Sequence, residues 1–361
     1  MDSRNVIRLR QLQMSKYVFA GGGTAGHVLP SVRVALHLRA RHAEIFYVGS
    51  ANSFEESLCA HHGIPFHAVT TAKFDRSRKL SVITALAANV RGILQARRIL
   101  RKIRPHGIFT SGGFASVPVV IAGRSLALRS IIVHACDLSL GLANTLCLPF
   151  ASRLSCTFEQ TVAEKGRGKA FLAGPIVEAA LLQVAPKSVK AKPQLLVYGG
   201  SQGSKVFNAK VRASLDALLV RFDIVHVCGK GNIDPTLANL SGYRQYDYVM
   251  DFMDILKSSD IAICRAGSNS LWELILTRTP HLAVPLPASI SRGDQLENCK
   301  YFEKKGATRW MPQPDFEASD LASVLAGILD QSAGITSRMA ALAPERPAVE
   351  IIADELTKGH P

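Results

Sequence analysis

An α/β protein of two domains, each a doubly wound, mainly parallel sheet, is predicted by three observations. Short β-branched or aromatic runs alternate with amphipathic helical patterns along both halves, as stacked βαβ units require. Each half opens on a strand that enters a glycine-rich turn and then a helical pattern. In the first half Tyr17-Val18-Phe19-Ala20 leads into Gly21-Gly22-Gly23-Thr24-Ala25-Gly26-His27; in the second, Leu195-Leu196-Val197-Tyr198 leads into Gly199-Gly200-Ser201-Gln202-Gly203-Ser204. Finally, 361 residues exceed one typical domain, and 47% apolar content is ordinary for a protein with a large core.

The first thirteen residues carry arginines without the apolar region of a signal peptide, and Met14 is an alternative start because Ser15 leads directly into the first strand. Strands are expected at 17–20, 45–48, 66–69, 108–110, 131–134 and 154–157, and then at 195–198, 224–228, 246–249, 261–264 and 282–284. Residues 1–176 form the expected N-terminal domain and 194–344 the C-terminal one. Between them 177–193 is polar, basic and proline-bounded, as an exposed linker would be. The last helical pattern, about 345–361, can pack on either domain, the N-terminal one included.

A net charge of +15 implies an acidic partner: nucleic acid, an anionic membrane or a phosphorylated substrate. The seven cysteines are scattered and lack a C-x-x-C pair, which argues against a disulfide framework and a structural zinc site. No apolar run is long enough to span a bilayer, so any membrane contact is expected to be peripheral.

Glycine turns between a strand and a helix suit anions, because the backbone comes close and the helix start offers free N–H groups and a positive dipole end. Their bland alternative is a tight βα connection. A third turn, Thr110-Ser111-Gly112-Gly113-Phe114, and a fourth, Arg265-Ala266-Gly267-Ser268-Asn269-Ser270, follow strands in the same way. Arg265 can neutralise a phosphate and Glu273 can accept from a ribose diol, unless Glu273 is simply a solvated glutamate of the first helical turn. The loop 285–298 is dense in hydrogen-bonding side chains and suits a polyhydroxylated sugar, or else merely connects Pro287 to the next helix. Between Lys73 and Arg104 ten cations face one acid, Asp75, with apolar residues interleaved at helical spacing. Such a helix can lie on anionic lipid or pack within its domain with a solvated basic side. Nucleic acid is not expected, since no helix-turn-helix, zinc-finger or RNP-like signature accompanies the charge.

Taken in order, Gly22-Gly23-Thr24-Ala25-Gly26-His27, Ser111-Gly112-Gly113-Phe114, Gly199-Gly200-Ser201-Gln202-Gly203, Arg265-Ala266-Gly267 with Glu273, and Gly293-Asp294-Gln295 with Asn298 resemble the motif series of MurG-type glycosyltransferases from about Lys16 to Gly306. The resemblance implies a GT-B architecture of two facing Rossmann-like domains. It also implies inverting, metal-independent transfer of GlcNAc from UDP-GlcNAc to the 4-hydroxyl of the muramoyl sugar of lipid I, giving lipid II for peptidoglycan at the cytoplasmic face of the membrane. No cofactor is implied, and no D-x-D metal triplet is present.

By the same resemblance Ser201, Gln202 and Gly203 hold the diphosphate, Glu273 the ribose, Gln295 the GlcNAc hydroxyls and Met250 the base through main-chain atoms, while Arg265, Gly267 and Asn298 are also assigned to the donor. Thr24, Ala25, Gly26, Gly112, Gly113, His134 and Asn144 are assigned to the acceptor and its phosphates. His27 is the candidate base, its alternative being a cap or phosphate contact.

The chain departs from the family at His134-Ala135-Cys136-Asp137, where His-Glu-Gln-Asn is usual, at Val177-Glu178, where an arginine is usual, and at Asp294, where a glutamine is usual. Other readings are therefore a paralogue using another lipid-linked sugar or a diacylglycerol, and a UDP-sugar-binding regulatory protein without turnover. A UDP-sugar epimerase would need more carboxylates than these motifs supply.

Overall fold

A computed structural model describes residues 15–23, 25–71, 79–165, 168–182, 190–200, 202–249 and 252–358. The chain divides into two compact units, 1–177 with 346–361, and 178–345.

The first unit is built on a parallel sheet of seven strands: β1 (Lys16–Ala20), β2 (Glu44–Gly49), β3 (Phe66–Ala68), β4 (Gly107–Thr110), β5 (Ser130–Ala135), β6 (Arg153–Cys156) and β7 (Ala170–Leu172). Their spatial order is β3-β2-β1-β4-β5-β6-β7. The central strands are buried on both faces, which is why they read as unbroken apolar runs rather than alternating ones. Helices Lys79–Ile103 and Ser116–Ser125 cover one face through Ala96, Leu100, Val119 and Val120.

The other face is covered by helix Ala25–Ala40 and, returning from the far end of the chain, helix Ala348–Thr357. Ala348, Ile352, Ala353 and Leu356 enter this core, and burial of Ile352 and Leu356 alone contributes roughly 3–6 kcal/mol. Polar contacts set its position: Ser130 Oγ donates to the Leu356 carbonyl at 3.1 Å, and Arg153 pairs with Glu355 at 3.2 Å. The last helix therefore packs on the N-terminal sheet.

In the second unit β8 (Gln194–Tyr198), β9 (Asp223–Val227), β10 (Tyr243–Tyr246), β11 (Ile261–Cys264), β12 (His281–Ala283) and β13 (Arg309–Trp310) form a parallel sheet in the order β10-β9-β8-β11-β12-β13. Both sheets share one topology, in which the winding direction reverses at a switch point: β1 beside β4 in the first, β8 beside β11 in the second.

Three strand expectations need correction. β10 forms three residues before the expected 246–249, because pairing with β9 begins at Tyr243, which is buried and whose hydroxyl lies 2.9 Å from His226 Nδ1. The edge strands β7 and β13, of three and two residues, are too short to leave a periodic signal and were not expected. Of the expected linker, residues 183–189 lie outside the described residues, and Ala179–Leu181 forms a single 3-10 turn.

Candidate functional site

In each sheet the two strands at the switch point end in glycine turns, so the turns lie where the sheet's connections diverge, the place where sheets of this kind bind ligands. In the first unit they touch backbone to backbone. A Cβ on Gly113 would lie 2.0 Å from the Gly22 carbonyl oxygen, and one on Gly21 would lie 2.9 Å from the Gly112 oxygen. Only glycine allows this approach. Beneath Gly22 lies Glu55, a buried carboxylate that accepts from the Ser50 N–H at 3.2 Å; a Cβ on Gly22 would fall 2.2 Å from its Oε1. Sequence reasoning missed Glu55, which reads as an ordinary first-turn glutamate of helix Phe54–His61.

His27, on the first turn of helix Ala25–Ala40, is half-buried, with Nδ1 at 3.1 Å from the Ser111 carbonyl oxygen. That oxygen only accepts, so in the neutral ring Nδ1 carries the proton and Nε2 the basic lone pair. Ser111 reinforces the contact by donating its hydroxyl to the His27 carbonyl and standing 2.7 Å from Ser31 Oγ. A Cβ on Gly112 would meet both Asn144 Oδ1 at 3.0 Å and His27 Nδ1 at 3.4 Å. His27, Gly112, Gly113 and Asn144, drawn from three separate sequence segments, thus form one cluster. Asn144 is anchored by Nδ2 donating to the His134 carbonyl at 2.9 Å, while its buried Oδ1 has no partner among the described residues. Gly26 borders the cluster, its carbonyl oxygen 3.9 Å from Cys136 Sγ. Ala25 opens the helix, and Thr24 lies outside the described residues.

The structure places the His134 side chain in the core. It is 1% exposed, its ring held between Ser155 Oγ at 3.0 Å and Thr157 Oγ1 at 3.2 Å. Burial pushes its pKa down to about 3, so it stays neutral and serves the core. Its contribution to the cluster is the carbonyl that orients Asn144. A histidine ending an apolar strand gives no sequence sign of which way its ring faces.

In the second unit the turn after β8 packs on the turn after β9. A Cβ on Gly203 would lie 1.9 Å from the Cys228 carbonyl oxygen, and one on Gly229 would lie 2.3 Å from the Gln202 oxygen. Asn208 Nδ2 holds that Cys228 oxygen at 3.0 Å. The neighbouring turn is braced by Arg212, which donates to the Asn232 carbonyl and, at 2.8 Å, to Gln245 Oε1. These bracing residues were not foreseen, because Asn208 and Arg212 lie inside helix Lys205–Ala213 with no motif of their own. The side chain of Gln202 is exposed. By contrast, no described residue lies within 4 Å of a Cβ on Gly200, Gly267 or Gly293.

Arg265 joins the two switch-point turns of this unit. It donates to Ser204 Oγ at 3.1 Å, to the Val284 carbonyl at 3.2 Å and to Gln313 Oε1 at 3.0 Å, with its guanidinium 4.5 Å from the Phe207 ring centroid. Ser204 caps helix Lys205–Ala213, so a cation stands directly beside a helix start. Burial draws the Arg265 pKa below the usual arginine value, yet a guanidinium remains charged at any working pH.

Glu273 is 8% exposed and sits in the second turn of helix Ser268–Leu276, so it is not the solvated first-turn glutamate. Its charge helps hold the phenol of Tyr198, the last residue of β8, protonated after burial itself. Gln295 accepts from the Leu286 N–H at 3.0 Å, which leaves its amide nitrogen without a protein partner among the described residues. Asn298 is fully buried and donates to the Ala266 carbonyl at 3.1 Å, so it supports the Arg265-Ala266-Gly267 turn from behind. Ser201 and Met250 lie outside the described residues.

Comparison with known proteins agrees with this anatomy. Residues 17–155 match the glycosyltransferase family 28 N-terminal domain, and 194–353 match the family 28 C-terminal domain. A Clostridium tetani protein named UDP-N-acetylglucosamine--N-acetylmuramyl-(pentapeptide) pyrophosphoryl-undecaprenol N-acetylglucosamine transferase is 40% identical over 299 residues, 81% of this chain and 83% of that one. A protein of the same name from Clostridium botulinum strain 657 is 37% identical over 320 residues, 86% of this chain and 90% of that one. Among solved structures, Acinetobacter baumannii MurG superposes with a TM-score of 0.76 at 20% identity, covering 94% of this chain and 98% of that one. The glycotransferase of kitacinnamycin gives 0.66 at 15% identity, covering 95% and 99%. With both domains matched, and with relatives of this identity along most of its length, the chain belongs to glycosyltransferase family 28 and is of the MurG type, with the two-domain α/β GT-B fold.

Proposed function

We propose that this protein transfers GlcNAc from UDP-GlcNAc to the 4-hydroxyl of the MurNAc sugar of undecaprenyl-diphosphate-linked MurNAc-pentapeptide, giving lipid II for peptidoglycan. The C-terminal unit takes the donor. The backbone N–H of Gln202, with Ser201 of the same turn, receives the diphosphate, Gly203 closes the turn by donating its own N–H to the Gly200 carbonyl at 3.0 Å, and the charge of Arg265 stands beside them at the start of helix Lys205–Ala213. Glu273 takes the ribose, Gln295 the sugar hydroxyls through its amide nitrogen, and the main chain at Met250 the base. Gly267 opens a second helix start on the same side of the sheet, and Asn298 keeps that turn in shape.

The N-terminal unit takes the acceptor, with Thr24, Ala25, Gly26, Gly112 and Gly113 facing its phosphates and Asn144 Oδ1 available to a hydroxyl. His27 Nε2 removes the proton of the attacking hydroxyl as the new O–C1 bond forms and the bond from C1 to the diphosphate oxygen breaks on the opposite face, so configuration inverts. The departing UDP carries away the electron pair, and the N–H donors and Arg265 stabilise that charge. The observation carrying this reading is the convergence of Gly203, Ser204, Arg265 and Gly267 on one switch point.

The enzyme works at the cytoplasmic face of the membrane as a peripheral protein. No described helix is long and apolar enough to cross a bilayer. Helix Lys79–Ile103 turns Val90 and Leu94, about half exposed, outward on the same side as Arg91, Arg98 and Arg101. An outward stripe that is both apolar and basic favours lipid over internal packing.

A second reading has its own support. At His134-Ala135-Cys136-Asp137 two positions that are polar in the family hold Ala135 and Cys136, both buried, so an acceptor other than lipid I, such as diacylglycerol, fits the lost polarity. Incubation of the purified protein with UDP-GlcNAc and either a lipid I analogue or diacylglycerol tests both. Product only with the lipid I analogue is expected. Product only with diacylglycerol selects the second reading, and binding or hydrolysis without transfer rejects both.

A further inference from the structure

The consecutive glycines that follow β1 are glycines for different reasons. Gly21 and Gly23 have φ +150° and +99°, where other residues are strained, whereas Gly22 has no positive φ. What Gly22 lacks is room: the atoms nearest to a Cβ there are Glu55 Oε1 at 2.2 Å, Cδ at 2.8 Å and Oε2 at 3.3 Å. Gly49, the last residue of β2, repeats the pattern. It too has no positive φ, and its Cβ would fall 2.8 Å from Glu55 Cγ and 3.0 Å from Phe66 Cε2. The buried side chain of Glu55 therefore occupies the space beneath both strand ends. Its own helix fixes it there. Ser53 caps helix Phe54–His61, its Oγ accepting from the Glu56 N–H at 3.3 Å and donating to the Ser50 carbonyl at 2.6 Å, and the Ser50 N–H donates to Glu55 Oε1 at 3.2 Å. A carboxylate in the first turn is also favoured by the positive end of the helix dipole.

We infer that Glu55 is a positioning residue for the transfer reaction: its carboxylate sets the height of Gly22, and the packing of Gly22 on Gly113 carries that setting to Ser111 and His27. A Cβ on Gly113 would lie 2.0 Å from the Gly22 carbonyl oxygen and 2.6 Å from the Gly22 nitrogen, so neither turn shifts without the other. On the same turn as Gly113, the Ser111 carbonyl holds His27 Nδ1 at 3.1 Å. Glu55 touches no substrate; it acts through the two turns, by its volume and by its contact with Ser50. Misplacing a reacting group by about 1 Å costs on the order of 100-fold in rate, so a small shift of Gly22 is enough to matter. The inference rests on the reading of the N-terminal unit as the acceptor side with His27 as the base, and adds to it the side chain that fixes both turns.

The test is steady-state transfer from UDP-GlcNAc to a lipid I analogue by the full chain, at a temperature where circular dichroism shows each variant folded. Glu55→Ala should lower kcat about 100-fold with KM for UDP-GlcNAc unchanged. Glu55→Gln, which keeps the shape and still accepts from Ser50, should stay within a few-fold of the parent. Gly22→Ala should be as slow as Glu55→Ala, because its methyl group displaces the turn. Joining the two, Gly22→Ala with Glu55→Ala, should restore turnover above that of Gly22→Ala, since the methyl group enters space the carboxylate has left. Glu55→Asp, which draws the carboxylate back from Gly22, takes the place of Glu55→Ala in both comparisons if the latter does not fold. Parent kcat in Glu55→Ala, or a double variant no faster than Gly22→Ala, would overturn the inference while the parent still transfers. A parent that gives no transfer to the lipid I analogue instead rejects the reading on which the inference rests.

Discussion

Replacing Gly203 by alanine isolates the close packing on which the donor turn depends. Gly203 has φ +74°, a left-handed conformation that costs other residues about 1–2 kcal/mol. Its Cβ would also lie 1.9 Å from the Cys228 carbonyl oxygen, an atom pinned by Asn208, so the turn after β8 or the turn after β9 must move. Overpacking of this kind costs about 1–3 kcal/mol, for a total near 2–5 kcal/mol. Gly200→Ala is the control. With φ +94° and no described residue within 4 Å of its Cβ, it carries only the backbone term, about 1–2 kcal/mol.

The two tryptophans, Trp272 and Trp310, both belong to unit 178–345, so intrinsic fluorescence reads the melting of that unit alone. At about 2–4 °C per kcal/mol for a domain of this size, Gly203→Ala should melt some 2–12 °C below Gly200→Ala. Titration calorimetry should show UDP-GlcNAc affinity lost in Gly203→Ala, because the N–H donors are displaced. Equal melting temperatures for the two variants would refute the packing argument.

Three further outcomes follow from the geometry. His27→Ala should lower turnover by about 100- to 10,000-fold with UDP-GlcNAc affinity unchanged, and unchanged turnover in a steady-state assay removes His27 from the chemistry. Asn298→Ala strands the Ala266 carbonyl in the core; a loss of about 1–3 kcal/mol in urea unfolding is expected, with weakened donor binding. His226 and His281 are buried and neutral, held by desolvation to about 3 and about 4, whereas the unfolded chain protonates them near 6.5. Their contribution is therefore intact above pH 6.5 and is lost as pH falls towards 4, each histidine shifting the folding equilibrium of the second unit roughly tenfold per pH unit. Denaturant titrations read by tryptophan should show His281→Gln with a shallower acid dependence than the parent, and parallel slopes would contradict the assignment.

Much of the fold was legible because buried parallel strands read as apolar runs and glycine turns punctuate them. β1, β4, β8 and β11 stand close to where periodicity puts them. What periodicity could not supply was length and register at the margins: β7 and β13 are too short to show a pattern, and β10 starts where its partner strand begins rather than where its own residues are most β-prone. The site divided in the same way. Turns announce themselves through glycine, whereas Glu55, Asn208 and Arg212 carry no local signature because their partners lie far away in sequence.

The sequence by itself determined the class of the protein: alternating strand and helix patterns, glycine turns at four strand ends, and motif residues in the order of a glycosyltransferase. Only the tertiary structure decided that those turns meet in pairs at two switch points, that helix Ala348–Thr357 belongs to the first sheet, and that His134 and Asn298 face inward while Asn144 Oδ1, without a partner among the described residues, lies beside His27. The reason is physical. Backbone propensity and apolar period are local properties, whereas burial, and with it a side chain's charge state and hydrogen-bond partners, is set by residues that become neighbours only on folding.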